Sequence, residues 1–499
     1  MRRRLMPPTH EENSVNPSQA ATPLFTRTLN ACLAMAALLL AAAPPTAQAV
    51  PTFNRQTGQN CVACHAGGQF PELTPYGRLF KMTGYTIGER TLPISAMGVA
   101  SYSKVSSTST SPDPGADFQK NGSVILATGS LFLAGKVTDN IGAFAQITYD
   151  PYATQSADGK FHGHSNADNI DIRYADRFIS TERDLIFGVS ANNNPSISDP
   201  WNTASAWMQY VPVPSPTSSR FIDGNAPYPG FGSGGNVAGI SGYAFLDQSF
   251  YAELGGYRTA NRALSFMSAG VANADTTKLK GLNPYWRLAY NRDWGPHSMM
   301  VGASGMVADV YDDPRDTSDA ATTHRFKDLG IDAQYQYLLD PHSITAQVAF
   351  MRSRHRYPAA LANQPAAFVG PAGQALATTN ESDTNNVLRA KVTYVYQAKY
   401  GGSLGLFNLT GTTNTANQTA GFDATGALVS SDPVGDNLSG NPATRGLTYE
   451  AFWTPIQYVR FGAQFTTYNK FNGASSNYNG LGRNASDNNS LFMYAWLAY

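Results

Sequence analysis

What most constrains this chain is a two-residue alternation of apolar and polar side chains that recurs from Ile94 to the C-terminus. Leu329, Ile331, Ala333, Tyr335 and Tyr337 alternate with Gly330, Asp332, Gln334 and Gln336. After Asp340-Pro341-His342, Ile344, Ala346, Val348 and Phe350 alternate with Thr345, Gln347 and Ala349. Successive side chains of a strand point to opposite faces, so each such run is a strand with one apolar and one polar surface. The same pattern runs through Leu388–Tyr396, Leu447–Trp453 and Val459–Phe465. It predicts sixteen strands, beginning near residues 94, 123, 140, 168, 183, 236, 248, 283, 297, 327, 342, 386, 402, 445, 457 and 490.

The connections alternate in length. Long ones are expected at about 105–122, 151–167, 191–235, 259–282, 309–326, 355–385, 413–444 and 470–489. Short ones are expected near Thr138-Asp139, Thr181-Glu182, Asp247, Gly295-Pro296, Pro341, Gly401 and Pro455. An even strand number with short turns on one side and long loops on the other is the signature of a transmembrane barrel. A soluble sandwich of this many two-faced strands would have too little core for its polar faces. Closing the sheet in lipid removes its edges and encloses the polar faces around an aqueous lumen. The expected fold class is therefore all-β: an antiparallel transmembrane barrel of about sixteen strands over residues 94–499, preceded by a small helical segment.

Composition agrees. Charged residues make up 14% of the chain, against roughly 25% in ordinary soluble domains. Lys plus Arg and Asp plus Glu balance at 35 each, which offers no basic face to nucleic acid. The chain carries 26 Tyr and 25 Phe, and Tyr and Trp near strand ends suit aromatic girdles at the lipid interfaces. In the last strand Leu491, Met493, Ala495, Leu497 and Tyr499 share one face, and an aromatic terminal strand of this kind is what the barrel assembly machinery reads. Inward-facing Asp171, Arg173, Arg287, Asp332, Arg389, Lys391, Glu450 and Arg460 mix signs, as solvating and ion-paired lumen groups would.

Residues 1–49 read as a secretory signal. Arg2, Arg3, Arg4 and Arg27 supply positive charge, Leu33–Ala43 is an apolar run of 11 residues, and Ala47-Gln48-Ala49 is a small-residue cleavage site. That run is too short to span a bilayer. Cleavage removes Cys32 and leaves Cys61 and Cys64 as the cysteines of the exported chain.

Cys61-Val62-Ala63-Cys64-His65 is the attachment pattern of a c-type haem. Two thiols three positions apart can add to the two vinyl groups of one porphyrin, and the next residue gives the iron its proximal nitrogen. A redox disulfide would want a thioredoxin-like setting, and a zinc site a second cysteine pair; neither is present in the sequence. A short helix is expected next, capped by Thr74, with Pro75 in its first turn and Gly84 at its end. Leu79, Phe80 and Met82 on it could line the porphyrin, or be ordinary packing. For the distal position Met97 is the first candidate, Met82 the second, with His or water the remaining choices; a thioether raises the potential relative to a second His.

With Pro71-x-Leu73, Gly77 and Phe80, the haem motif and the barrel resemble the outer-membrane monohaem cytochrome–porin fusions of iron-oxidising bacteria. The resemblance implies one covalent haem c in residues 50–93. It implies electron entry from an extracellular donor, ferrous iron in the best-known members, and delivery to a periplasmic electron carrier. It places the chain in the outer membrane of a Gram-negative bacterium, with both barrel termini and the haem segment on the short-turn, periplasmic side. The short link Glu89–Pro93 favours a plug inside the barrel over a tethered domain. Two other functions fit the same sequence: a solute porin with a structural or regulatory haem, and a haem oxidoreductase acting on a small ligand. No acid–base pair near His65 is visible for the latter.

Three further stretches have functional colour. Asp309, Asp312, Asp313, Asp316 and Asp319 could attract a cation, Phe161-His162-Gly163-His164 a transition metal, though solvated loops are the plainer reading for both. Asn192–Pro195 and Asp199-Pro200-Trp201 look like ordered loop chemistry near the pore mouth.

Overall fold

The computed structural model describes residues 51–68, 72–107, 122–156, 160–203, 237–268, 278–358, 380–414 and 437–499, with two short two-stranded ladders, 368–369 with 375–376 and 421–422 with 428–429. The expected signal segment, Gln69 to Pro71 and much of the long loops fall outside the described residues.

Sixteen antiparallel strands close into one barrel in simple sequence order. They are β1 Ile94–Val105, β2 Val124–Lys136, β3 Ile141–Gln155, β4 Phe161–Ile179, β5 Asp184–Asn192, β6 Val237–Leu246, β7 Phe250–Thr259 and β8 Asn283–Trp294. The second half is β9 His297–Tyr311, β10 Thr323–Leu339, β11 His342–Arg356, β12 Ser382–Tyr396, β13 Tyr400–Gly411, β14 Thr444–Ile456, β15 Val459–Lys470 and β16 Ser490–Ala498. Closure is made by β1 and β16, in a ladder from Met97 opposite Ala498 to Val105 opposite Ser490. Tyr499 adds two backbone bonds to Ala96, each 2.8 Å.

The alternation has the consequence foreseen. Leu329, Ile331, Val348, Val392, Leu404 and Phe461 are exposed on the outer face, while Gln334, Gln347, Thr345, Thr393 and Arg389 are buried on the inner one. A continuous outer surface of large apolar groups is stable only against hydrocarbon, so this is an outer-membrane barrel. Trp294, Tyr335, Tyr394, Tyr400 and Trp453 mark the short-turn interface. His297 and His342 each meet a girdle tyrosine hydroxyl there, Tyr335 and Tyr394, at 2.8 Å. The inner face pairs its charges: Arg173 with Asp171 at 2.6 Å, Arg287 with Asp332 at 2.8 Å and Arg460 with Glu450 at 2.8 Å.

Most strand starts fall within two residues of expectation; three begin earlier, β4 at Phe161, β10 at Thr323 and β12 at Ser382. The β4 addition is exposed, with Ser165 opposite Tyr149, whereas those of β10 and β12 bring the buried His324, Phe326 and Asp383 to the long-loop end, Asp383 opposite His355. His162 and His164 accordingly sit in β4 and not in a loop. Two turns also move. The β12–β13 turn uses Gln397 and Ala398, both in left-handed conformation, and Gly401 lies in β13. A Cβ on Gly401 would stand 2.1 Å from the Phe452 ring of β14, so the glycine makes room for that aromatic. The β14–β15 turn is at Gln457-Tyr458, with Pro455 at the strand end.

Among the described residues three short α-helices precede the barrel: α1 Pro51–Thr57, α2 Cys61–Cys64 and α3 Pro75–Met82. Their partners lie on strands all around the ring. Arg55 donates to Ile94 O of β1, and Gln56 Oε1 accepts from Lys136 N of β2 at 2.8 Å. Tyr85 donates to Asp171 of β4 at 2.6 Å, Met82 O accepts from Tyr243 of β6 at 2.7 Å, and Glu72 pairs with Lys391 of β12 at 2.5 Å. A segment held by inner-face groups from so many directions is a plug within the lumen. Its partners near Pro296, Ala398 and Gln457 place it at the short-turn end.

Candidate haem site in the lumen plug

Helix α2 is a single turn that carries both thiols. His65 leaves it in extended conformation (φ −117°, ψ 130°), while its N–H still bonds Cys61 O at 2.8 Å. The chain then reverses through Gly67 and Gly68, at φ 64° and 73°, which side chains rarely adopt. It returns with Leu73 bridged to His65 and with Ala66 N–H on Glu72 O at 2.8 Å. Thr74 locks the return. Its N–H donates to Cys64 O at 2.9 Å, its hydroxyl donates to Ala63 O, and the same oxygen caps α3 by accepting from Gly77 N–H at 3.1 Å. At Gly77 a Cβ would lie 2.2 Å from Cys64 O, so the first turn of α3 is pressed on the attachment turn. The expected cap, Pro75 and the Gly84 exit (φ 73°) are all observed.

The electrostatics suit covalent attachment and iron ligation. Burial pushes the Cys64 thiol up to about 11, with the neighbouring Cys61 adding to it. Neither cysteine is in a disulfide. Burial pushes half-buried His65 down to about 4, against the pull of Glu72, so its imidazole is neutral at physiological pH and keeps a lone pair for a metal. Two thiols one turn apart, followed at once by a neutral imidazole, are the donor set a c-type haem takes; the residues present fit that group.

The structure brings Cys61, Cys64 and His65 together and distributes the other expected residues. Leu79 and Met82 pack with Trp201, Ile186, Tyr243, Phe245, Tyr251 and Met300 on the β5–β9 side. Phe80 sits edge-on to Phe53 at 4.9 Å and near Tyr85 at 5.9 Å. Met97 is half-buried on the inner face of β1, beside Val99, Phe492, Tyr494 and Trp496. Neither methionine shares a cluster with His65.

Several anchors escaped the sequence. Arg78, 2% exposed, donates to Leu73 O and Gln336 at 2.9 Å and to Ser298 at 2.6 Å, and pairs with Asp293 at 3.3 Å. Lys81 donates to Asp199 O at 2.7 Å and Asn202 at 2.9 Å. Asp199 belongs to the long β5–β6 loop, whose first part does turn into the lumen. Its helix α4, Pro195–Ser198, is capped by Asn194, Arg173 donates to Ser198 O at 2.7 Å, and Trp201 is fully buried. Two cations on one turn-and-a-half of a short exported helix were the available signal, since buried cations need partners.

No family model and no curated protein sequence matches this chain. Solved outer-membrane barrels do resemble it. OmpF of Salmonella typhi, solved with daunomycin, is 9% identical with a TM-score of 0.42, covering 81% of this chain and 97% of that one. The channel DcaP of Acinetobacter baumannii is 11% identical with a TM-score of 0.39, covering 81% and 96%. The anion-selective porin of Comamonas acidovorans is 9% identical with a TM-score of 0.38, covering 81% and 98%. The closure and strand order of the barrel are read from its own ladders.

Proposed function

We propose that this porin-like barrel is an outer-membrane c-type cytochrome. In this reading it passes single electrons from an extracellular donor, ferrous iron by family resemblance, through one haem c to a periplasmic carrier. The observation that carries the reading is the position of the Cys61–His65 turn in a plug seated at the short-turn end of the lumen. Cys61 Sγ lies 3.3 Å from Gln457 Oε1 in the β14–β15 turn, so the turn is set against the periplasmic rim.

Bound there, the haem would supply a one-electron ferric–ferrous couple. The protein's own residues supply the rest. Cys61 and Cys64 hold the group covalently, and His65 offers a neutral nitrogen. Glu72, clamped by Lys391, fixes the strand that returns beneath His65. Met97 is the distal ligand in this reading: it is half-buried and faces inward, whereas Met82 is packed among wall side chains.

The test is spectroscopic. Purified holoprotein should retain one haem per chain after acid–acetone extraction and give the pyridine spectrum of a double thioether; Cys61→Ser with Cys64→Ser should lose it. Met97→Ala should turn a ligand-insensitive low-spin spectrum into one that binds carbon monoxide. A folded wild-type barrel without bound pigment that swells liposomes with sugars would replace this reading with a solute porin.

A further inference from the structure

At the opposite, long-loop end of the wall, β10, β11 and β12 converge on a buried histidine pair. His324 and His355 are 2% and 1% exposed. His324 Nδ1 lies 2.8 Å from His355 Nε2, and His324 Nε2 lies 2.7 Å from Asp312 Oδ1. Asp312 comes from the acidic stretch between β9 and β10. His324 Nε2–H donates to that carboxylate, which leaves the Nδ1 lone pair facing His355. The second ring is held too. Phe326 stacks on His355 at 4.3 Å, and Tyr357 tilts against it at 4.1 Å. Asp383 stands opposite His355 in the β11–β12 register and accepts from Tyr357 and Asn414 at 2.6 Å.

Two imidazole nitrogens aimed at each other, one backed by a carboxylate, can share a proton or a metal. Two metal–imidazole bonds of about 2.0 Å at a tetrahedral angle set the nitrogens about 3.3 Å apart. That is roughly 0.5 Å wider than observed, within reach of small side-chain rotations. His355 would shift its ring proton from Nε2 to Nδ1, so binding needs a change of tautomer and releases no proton. We propose that His324 and His355 form a two-nitrogen site for a borderline divalent transition cation, with Asp312 as the carboxylate behind the first ligand. Among the described residues no three His, Cys, Asp or Glu side chains gather as metal ligands, and the two imidazoles are the ligands assigned to this site. Asp309, Asp313, Asp316 and Asp319 give the approach a local acidic field, tempered by Arg325 and Arg315. The site lies on the barrel wall and stands or falls independently of any haem in the plug.

The experiment uses full-length protein in detergent, stripped with chelator and titrated with Zn(II) alone by calorimetry at pH 7. Wild type should bind one zinc at this site. His324→Gln with His355→Gln should weaken that binding at least tenfold, and Asp312→Asn by about tenfold, the range seen when an outer carboxylate is lost. His162→Gln with His164→Gln, at the exposed start of β4, should leave it unchanged. X-ray absorption of zinc-loaded wild type, which needs no variant, should show two imidazole nitrogens at about 2.0 Å. No zinc uptake, no imidazole scattering, or loss that follows His162 and His164 overturns the proposal.

Discussion

Gly77 shows how one residue couples the plug helix to the attachment turn. An alanine methyl there meets the Cys64 carbonyl, which is itself fixed by Thr74 N–H, so neither side can yield cheaply. Gly77→Ala should cost about 1–3 kcal/mol of plug stability, the usual range for overpacking, and lower the haem content of exported protein while the barrel still assembles. Full haem occupancy in that variant would show the contact to be slack. Lys81 gives a pH dependence. Burial, with Arg173 nearby, pushes its ammonium down to about 7, against the opposing pull of Asp171, Asp199 and Glu253. Between about pH 7 and 10 the folded form therefore binds fewer protons than the unfolded one, and stability rises with pH by at most about 1.4 kcal/mol per pH unit. Below about 7 both forms are protonated and this contribution is flat. Denaturant unfolding of wild type should gain on Lys81→Met as pH rises from 7 to 9.5; parallel curves would contradict it.

At the scale of elements, the strands were legible because lipid on one side and water on the other impose a strict period of two. Legibility stopped where that contrast stops. His162, His164 and Ser165 are exposed and polar, and in β12 the buried Asp383 and Asn385 alternate with polar Ser382 and Thr384, so neither stretch carries an apolar–polar period to read. Helix α3 was legible from its cap, proline and terminal glycine. Its partners were not, because Gln336, Ser298 and Asp293 are more than two hundred residues away in sequence. Arg78 joins the plug to three strands, and its removal leaves buried acceptors at Gln336 and Ser298 unpaired at about 1–3 kcal/mol each, while the half-exposed Asp293 is solvated. Arg78→Met should therefore unseat the plug without unfolding the barrel. The expected result is faster protease cleavage within residues 51–93 and higher single-channel conductance in planar bilayers. Unchanged cleavage and conductance would mean the plug is held elsewhere.

For the whole molecule, barrel and haem motif are two statements that the sequence makes separately, and the structure joins them through the seat of the plug. Mixed charges on the inner faces were readable as lumen groups. Their pairing with the plug, as in Lys391 with Glu72, and with the inward loop, as in Arg287 with Asp199, depends on closure of the barrel and had no local signal. The seat places the attachment turn at the short-turn rim, at the end of the barrel opposite the long loops. Electron passage from outside to inside is what the proposed function requires of that arrangement. It can be measured with holoprotein inserted in one orientation in sealed liposomes, an impermeant reductant outside and an impermeant coloured acceptor trapped within. The account predicts reduction of the trapped acceptor with wild type and none with Cys61→Ser, Cys64→Ser protein; a trapped acceptor that stays oxidised beside fully haem-loaded wild type would contradict it.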